Sequence, residues 1–243
     1  MDALPLSPSV LATLDWDPAR VRAITLDLDD TLWPIWPTIA RAEAILHAWL
    51  QQHAPATALR LGDARQLRAV RERMVSLRPD LQHDLSALRR ESIRLVLQES
   101  GDDPALAEPA FDLFFAERQR VDLFEDVLEA LDALAARYPI VALSNGNADV
   151  VRVGLGRYFR HSVSAREFGV PKPDSRIFHA AAAHAGVPSA AVLHVGDDAH
   201  LDVQGALQAG MQAAWVNRQG AVWGHAFRAH LEVPDLHVLR AAL

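Results

Sequence analysis

The chain of 243 residues contains no cysteine and one lysine, Lys172. Without cysteine there are no disulfides and no thiolate chemistry, and the redox compartment stays open on that count. The other basic side chains, in a Lys plus Arg total of 24, are all arginine, and the lysine sits between two prolines in EFGVPKPDSRIF. No apolar run approaches the roughly 20 residues that span a bilayer. The opening MDALPLSPSVLATLDWDP has an early acid and no basic n-region, so it does not read as a signal peptide. A formal charge of −7 argues against a nucleic-acid backbone as partner and leaves metal-chelated or small anionic ligands open. A cytoplasmic protein with no nucleic-acid and no membrane partner is expected. With 50% hydrophobic residues, the length suits one large domain or a domain carrying an inserted module.

Short apolar segments give the architecture. AITLDL (23–28), IVALSN (140–145), AVLHVG (191–196) and QAAWVN (212–217) read as strands, with HSVSA (161–165) as a further one. Helices are expected from about Asn147, over SRIFHAAAAHAG just after Pro173, and over VQGALQAG up to Gly210. Strands alternating with helices predict an α/β fold, a Rossmann-like parallel sheet with helices on both faces. From 37 to 121 the rhythm breaks. Apolar residues recur there at helical spacing (Ile39, Leu46 and Leu50; Leu81, Leu85 and Leu88; Phe111, Phe114 and Phe115), predicting three or four helices inserted into the sheet domain. Residues 1–36 and 122–243 would form the core, although the first 20 residues could equally be an arm, a strand or a tail.

The first strand ends in acids. In extended backbone, residues i and i+2 share a face, so Asp27 and Asp29 would project together, with Asp30 beside them. Open α/β sheets bind ligands at the carboxyl ends of their strands. Crowded carboxylates there need a cation, a proton or a ligand. Taken alone, Ser144 reads as a turn or N-cap residue, Gly146 as a turn requirement, Trp33 and Trp36 as packing or as lining of the entrance, and His200 as a structural or solvated side chain.

The run Asp27-Leu28-Asp29-Asp30-Thr31 resembles the first motif of the haloacid dehalogenase superfamily. Ser144-Asn145, Lys172 and the acids Asp197, Asp198 and Asp202 are similar to its second, third and fourth motifs, in the same order over roughly residues 21 to 220. The resemblance implies that Asp27 is a nucleophile forming an aspartyl-phosphate and Asp29 a general acid/base. It implies Mg²⁺ held by the Asp27 and Asp197 carboxylates and the main-chain carbonyl of Asp29, with Asp198 and Asp202 behind them and Asp198 left open as the direct ligand. Ser144, Asn145 and Lys172 would bind phosphate, with the backbone N–H groups of the SNGN turn assisting.

Residues 37–121 resemble the helical cap of the subgroup that includes phosphoglycolate phosphatase and flavin-precursor phosphatases. The implied activity is a phosphatase acting on a small phosphorylated metabolite. A phosphomutase, a dehalogenase or a non-catalytic binding protein on the same fold are the alternatives. A phosphonatase needs a Schiff-base lysine in the cap, and residues 1–171 contain none. Val170 and Lys172 each precede a proline, which favours extended backbone, and Pro173 suits a first helical position.

Overall fold

The computed structural model describes Leu11, Ala12 and residues 16–243. Its strands are β1 (Leu11–Ala12), β2 (Ala23–Leu26), β3 (Ile140–Ser144), β4 (His161–Ser164), β5 (Val192–Gly196), β6 (Gln212–Val216) and β7 (Leu231–Val233). Among the described residues they form one sheet in the order β1-β7-β6-β5-β2-β3-β4. Every pairing is parallel except that of β1 with β7. Between β2 and β3 run α1 (Ile35–His53), α2 (Pro55–Leu61), α3 (Gln66–Leu77), α4 (Leu85–Ser100), α5 (Ala107–Arg118) and α6 (Val127–Ala135). After β4 come α7 (Ala165–Phe168), α8 (Ser175–Ala185), α9 (Gly205–Gln208) and α10 (Leu236–Ala242). Among the described residues no helix is long and apolar enough to cross a membrane.

Strands β2, β3, β5 and β6 are buried along their whole length, which is why they read as unbroken apolar runs. Their residues still alternate between faces. Ile24, Leu26, Ala142, Leu193 and Val195 pack against α6 and α10, while Ala23, Val141, Leu143 and Val192 pack against α8 and α9. Helices α1 to α5 have a core of their own, with Ile39, Leu46, Leu50, Ile93, Leu97, Phe111 and Phe114 at its centre.

Four local expectations need correction. The inserted segment has five α-helices. Helix α2 is set by Pro55 in its first turn and closed at Gly62 (φ +71°), and α3 is so polar that only Leu67 and Met74 are buried. No helix grows from Asn147. The Asp149 carboxylate caps the N–H groups of Val151 and Arg152, but Gly154 (φ +86°) ends the coil after a single turn. Pro173 is not the first residue of α8. The Lys172–Pro173 peptide is cis and Asp174 caps the helix through the Arg176 N–H, so α8 starts at Ser175. The segment expected as a helix over 203–210 begins earlier, as π-helical turns over Ala199–Gln204 continuing into α9, with Gly210 at φ +74° beyond it.

Candidate active site

Sheet order creates the site. Strand β2 lies between β5 and β3, so the residues leaving their carboxyl ends converge: Asp27 after β2, Asp197 after β5, and Ser144 at the end of β3. Lys172 reaches in from the loop before α8. Its backbone is held by Asn145, whose side chain accepts from Lys172 N at 2.7 Å and donates to Lys172 O at 3.0 Å. The Asn145 side-chain amide is committed to the lysine loop.

The Lys172 ammonium donates to Asp27 Oδ1 at 2.5 Å and Asp202 Oδ1 at 2.6 Å, and all three side chains are buried. Burial alone would pull the ammonium down, but Asp202 and Asp27 outweigh it and hold it above the ordinary lysine value. Burial likewise opposes ionisation of Asp202, yet Lys172 and then His194 keep that carboxyl well below its usual range. His194, buried in β5, lies 3.0 Å from Asp202 Oδ1 through Nε2 and 2.9 Å from Thr25 Oγ1 through Nδ1. An ionised carboxylate only accepts, so Nε2 carries the proton and Nδ1 accepts from the threonine hydroxyl. Burial lowers the imidazole below its ordinary value, which leaves it neutral. A Cβ on Gly196 would stand 2.3 Å from Asp202 Cγ, so this strand end must be glycine for Asp202 to reach the lysine.

Asp202 Oδ2 accepts from the Asp198 N–H at 3.0 Å, so both its oxygens are occupied. Asp198 is exposed and spends Oδ1 on the N–H groups of His200 and Leu201, capping the helical turns that carry Asp202. Asp197 faces the centre: Thr31 Oγ1 donates to its Oδ1 at 3.1 Å and to Asp27 Oδ2 at 3.3 Å. The Trp215 indole fixes the Asp197 main chain through its carbonyl at 2.6 Å. Ligand oxygens of Asp27, Asp197 and Asp202 lie within 4.8 Å of one another. Burial, reinforced by Asp202, pushes the Asp197 carboxyl up to about 7. Burial also raises Asp27 well above its ordinary value, against the pull of Lys172. Three carboxylates facing one ammonium leave an excess of negative charge that a divalent cation would balance, and an all-oxygen donor set suits a hard one.

Asp29 points away from this cluster toward the inserted helices. Arg118, at the end of α5, donates through Nη2 to both Asp29 oxygens at 2.6 Å, and the buried Trp33 indole donates to Oδ1 at 2.8 Å. Arg118 Nε holds Asn147 Oδ1 at 2.9 Å, and the neighbouring Gln119 accepts from Asp149 N, so α5 grips the turn that follows Ser144. Ser144 is buried and its Oγ accepts from Gly146 N at 2.9 Å. Gly146 is more than a turn residue: a Cβ there would lie 2.3 Å from Asp29 Oδ2. Gly146→Ala should therefore displace the Asp29 carboxylate. Misplacement of that order costs on the order of 10²-fold in turnover, while the exchange itself should shift stability by only about 1 kcal/mol. Wild-type kinetics in Gly146→Ala, read alongside a thermal melt, would show that the carboxylate position is unimportant.

Residues 21–210 match the haloacid dehalogenase-like hydrolase family. The chain belongs to that family. It is 34% identical over 232 residues to the 5-amino-6-(5-phospho-D-ribitylamino)uracil phosphatase YigB of Escherichia coli, covering 92% of this chain and 97% of that one. It is 28% identical over 237 residues to a glyceraldehyde 3-phosphate phosphatase of Methanopyrus kandleri, covering 90% of this chain and 94% of that one. Among solved structures, a 2-haloacid dehalogenase from Pseudomonas syringae superposes with a TM-score of 0.83 at 37% identity, covering 91% of this chain and 97% of that one.

In this haloacid dehalogenase-like hydrolase, sequence reasoning missed His194, Thr25 and Arg118. A lone histidine between Leu193 and Val195 in an apolar strand was the available signal for the first, because a buried imidazole must find partners. Nothing local marks Arg118, which meets Asp29 across 89 residues of chain. Of the tryptophans expected to pack, Trp33 does so and also bonds Asp29, whereas Trp36 is 51% exposed with Arg68 stacked on it at 4.1 Å.

Proposed function

We propose that this hydrolase is a Mg²⁺-dependent phosphatase that cleaves a small-molecule phosphate monoester through an aspartyl-phosphate on Asp27, with residues 37–121 acting as a cap over the site. The observation that carries the reading is the cluster of Asp27, Asp197 and Asp202 around one ammonium, beside a second carboxylate, Asp29, at the mouth of the site. A halide leaves carbon without being protonated and without a metal, so that displacement calls for neither a general acid at the leaving group nor carboxylates gathered to hold a cation. Both are what phosphoryl transfer uses.

Asp27, Asp197 and the main-chain carbonyl of Asp29 would hold the metal, which supplies charge neutralisation at the phosphoryl oxygens when bound. The rest is protein chemistry. An Asp27 oxygen bonds to phosphorus as the bond from phosphorus to the leaving oxygen breaks, and Asp29 delivers a proton to that oxygen. A water then attacks phosphorus, Asp29 takes its proton, and the bond between Asp27 and phosphorus breaks to release inorganic phosphate. Lys172 holds Asp27 in place and offers positive charge to the phosphoryl group, while Ser144 Oγ and the N–H groups of the turn after it bind phosphoryl oxygens. Asp202, His194 and Thr25 keep the lysine in position.

The substrate class is a small phosphorylated metabolite, and the name of the Escherichia coli relative supplies a ribitylaminouracil phosphate as the first to try. The test is phosphate release from p-nitrophenyl phosphate, acetyl phosphate and a metabolite-phosphate panel, with Mg²⁺ or with EDTA, beside halide release from chloropropionate. Mg²⁺-dependent phosphate release without halide release is expected. Halide release without phosphatase activity would establish the dehalogenase, transfer of phosphate between carbons without release would establish a mutase, and no turnover of any kind would leave a binding protein.

A further inference from the structure

The cavity next to Asp29, about 110 Å³, lies between the inserted helices and the turn after Ser144. Asp29, Arg71, Arg89, Arg118, Trp36 and Phe114 line it. Three guanidinium groups on one small cavity are out of keeping with a chain whose net charge is −7. Two of them have carboxylate partners. Arg89 donates to the buried Glu43 at 2.9 Å and stacks on Phe114 at 4.1 Å, and Arg118 holds Asp29. Among the described residues Arg71 makes no ion pair, and Arg118 Nη1 is buried without a hydrogen-bond partner. The crowding registers on Arg89, which burial and then the charge of Arg71 pull down to about 10, still charged at neutral pH.

An unsatisfied buried N–H is costly unless something arrives to meet it. The Asp29 carboxylate is also committed in this state. Arg118 bonds both its oxygens and Trp33 bonds one of them, so the guanidinium favours the ionised carboxylate and opposes the protonated form that would hand a proton to a leaving group, and a shift of Arg118 away from it would ease that step. A negatively charged group entering the cavity would give Arg118 a new partner, satisfy Nη1, and balance Arg71.

We infer, on the phosphatase reading above, that Arg118 and Arg71, with Arg89 behind them, form a second anion site, and that the preferred substrate carries a carboxylate or second phosphate on the half that leaves. Arg118 passes from Asp29 to that group as the substrate binds, so occupancy of the second site frees the acid/base. Arg71 is a specificity residue and Arg118 couples specificity to the chemistry. The apolar walls, Trp36 and Phe114, suit a short carbon chain between the two anions.

The test uses competition, so that any compound occupying the site registers whether or not it is turned over. Hydrolysis of p-nitrophenyl phosphate is measured in the presence of matched pairs: phosphoglycolate against hydroxyethyl phosphate, phosphoglycerate against glycerol phosphate, and fructose bisphosphate against fructose phosphate. In at least one pair the more anionic member should compete about tenfold more tightly, against the repulsion of the whole chain. That advantage should shrink to under about threefold in Arg71→Gln, a half-buried position where the change spares the core. The carboxylate pairs and the bisphosphate pair tell which oxyanion fits. Equal competition within every pair, or an advantage that survives Arg71→Gln, overturns the second anion site while leaving the phosphatase reading intact. Failure to hydrolyse p-nitrophenyl phosphate at all, with every metabolite ester equally inert, takes down both.

Discussion

Asp27→Asn should abolish turnover, by about 10⁴-fold or more, while the protein still folds. An amide nitrogen or oxygen is too weak a nucleophile to form the phospho-enzyme, and no nearby group can replace it. Asp197 is fixed by Thr31 and Asp202 by Lys172 and His194. The fold survives because Asn is nearly isosteric and its carbonyl can still accept from the Lys172 ammonium, which keeps Asp202 as its charged partner. Burial already raises the Asp27 carboxyl against the pull of the lysine, so removing its charge relieves part of the cost of crowding three acids together. Stability in metal-free buffer should accordingly change by no more than about 1 kcal/mol in either direction. Turnover within tenfold of wild type would reject Asp27 as nucleophile. A protein that fails to melt cooperatively would show that the lost activity reflects unfolding.

The sequence made much of this centre legible for a definite physical reason. Residues at the ends of strands in a parallel sheet inherit their positions from the order of the sheet, so the apolar run before it puts Asp27 at a ligand-binding edge, and the resemblance to the family's motifs brings Ser144 and Asp197 to the same edge. Lys172 is placed there by its resemblance to the family's third motif, and the prolines on either side account only for the stiffness of its loop. What was hidden depends on side-chain direction and on contacts across long stretches of chain. Asp29 shares a strand parity with Asp27, yet its carboxylate turns to Arg118, because the chain leaves extended geometry at once; Asp30 has φ 60° and its amide bonds Trp33 O. Asn145 looks from its motif position like a phosphate ligand, and only the paired contacts to Lys172 reveal a loop clamp. The helix expected after Asn147 fails because two glycines and several β-branched residues outweigh the capping carboxylate of Asp149. Helix α3 was missed because its buried face amounts to two side chains.

Lys172 separates charge from shape, and two substitutions read them independently. In Lys172→Met the counter-charge of Asp27 and Asp202 disappears while both carboxylates stay buried. Removing one member of such a group costs about 3–5 kcal/mol, because the remaining charges are left uncompensated. In Lys172→Arg the charge remains, but a broad planar fork must enter a space that holds a compact ammonium at 2.5 and 2.6 Å from two oxygens. Overpacking of that kind costs about 1–3 kcal/mol. Stability in metal-free buffer should therefore fall in the order wild type, Arg, Met. Activity should not follow that order. The fork prefers one bidentate partner, so it would capture a single carboxylate and no longer bridge Asp202 to the nucleophile, and turnover should fall by about 10²–10³-fold, the loss typical of one misplaced charge-stabilising donor. Wild-type turnover in Lys172→Arg would mean that any cation suffices there, and a Met variant as stable as wild type would mean that the acids shed their charge by protonation when the ammonium is gone. The expected split, with most of the fold retained and most of the catalysis lost in Lys172→Arg, explains why a chain that otherwise uses only arginine keeps lysine at this position.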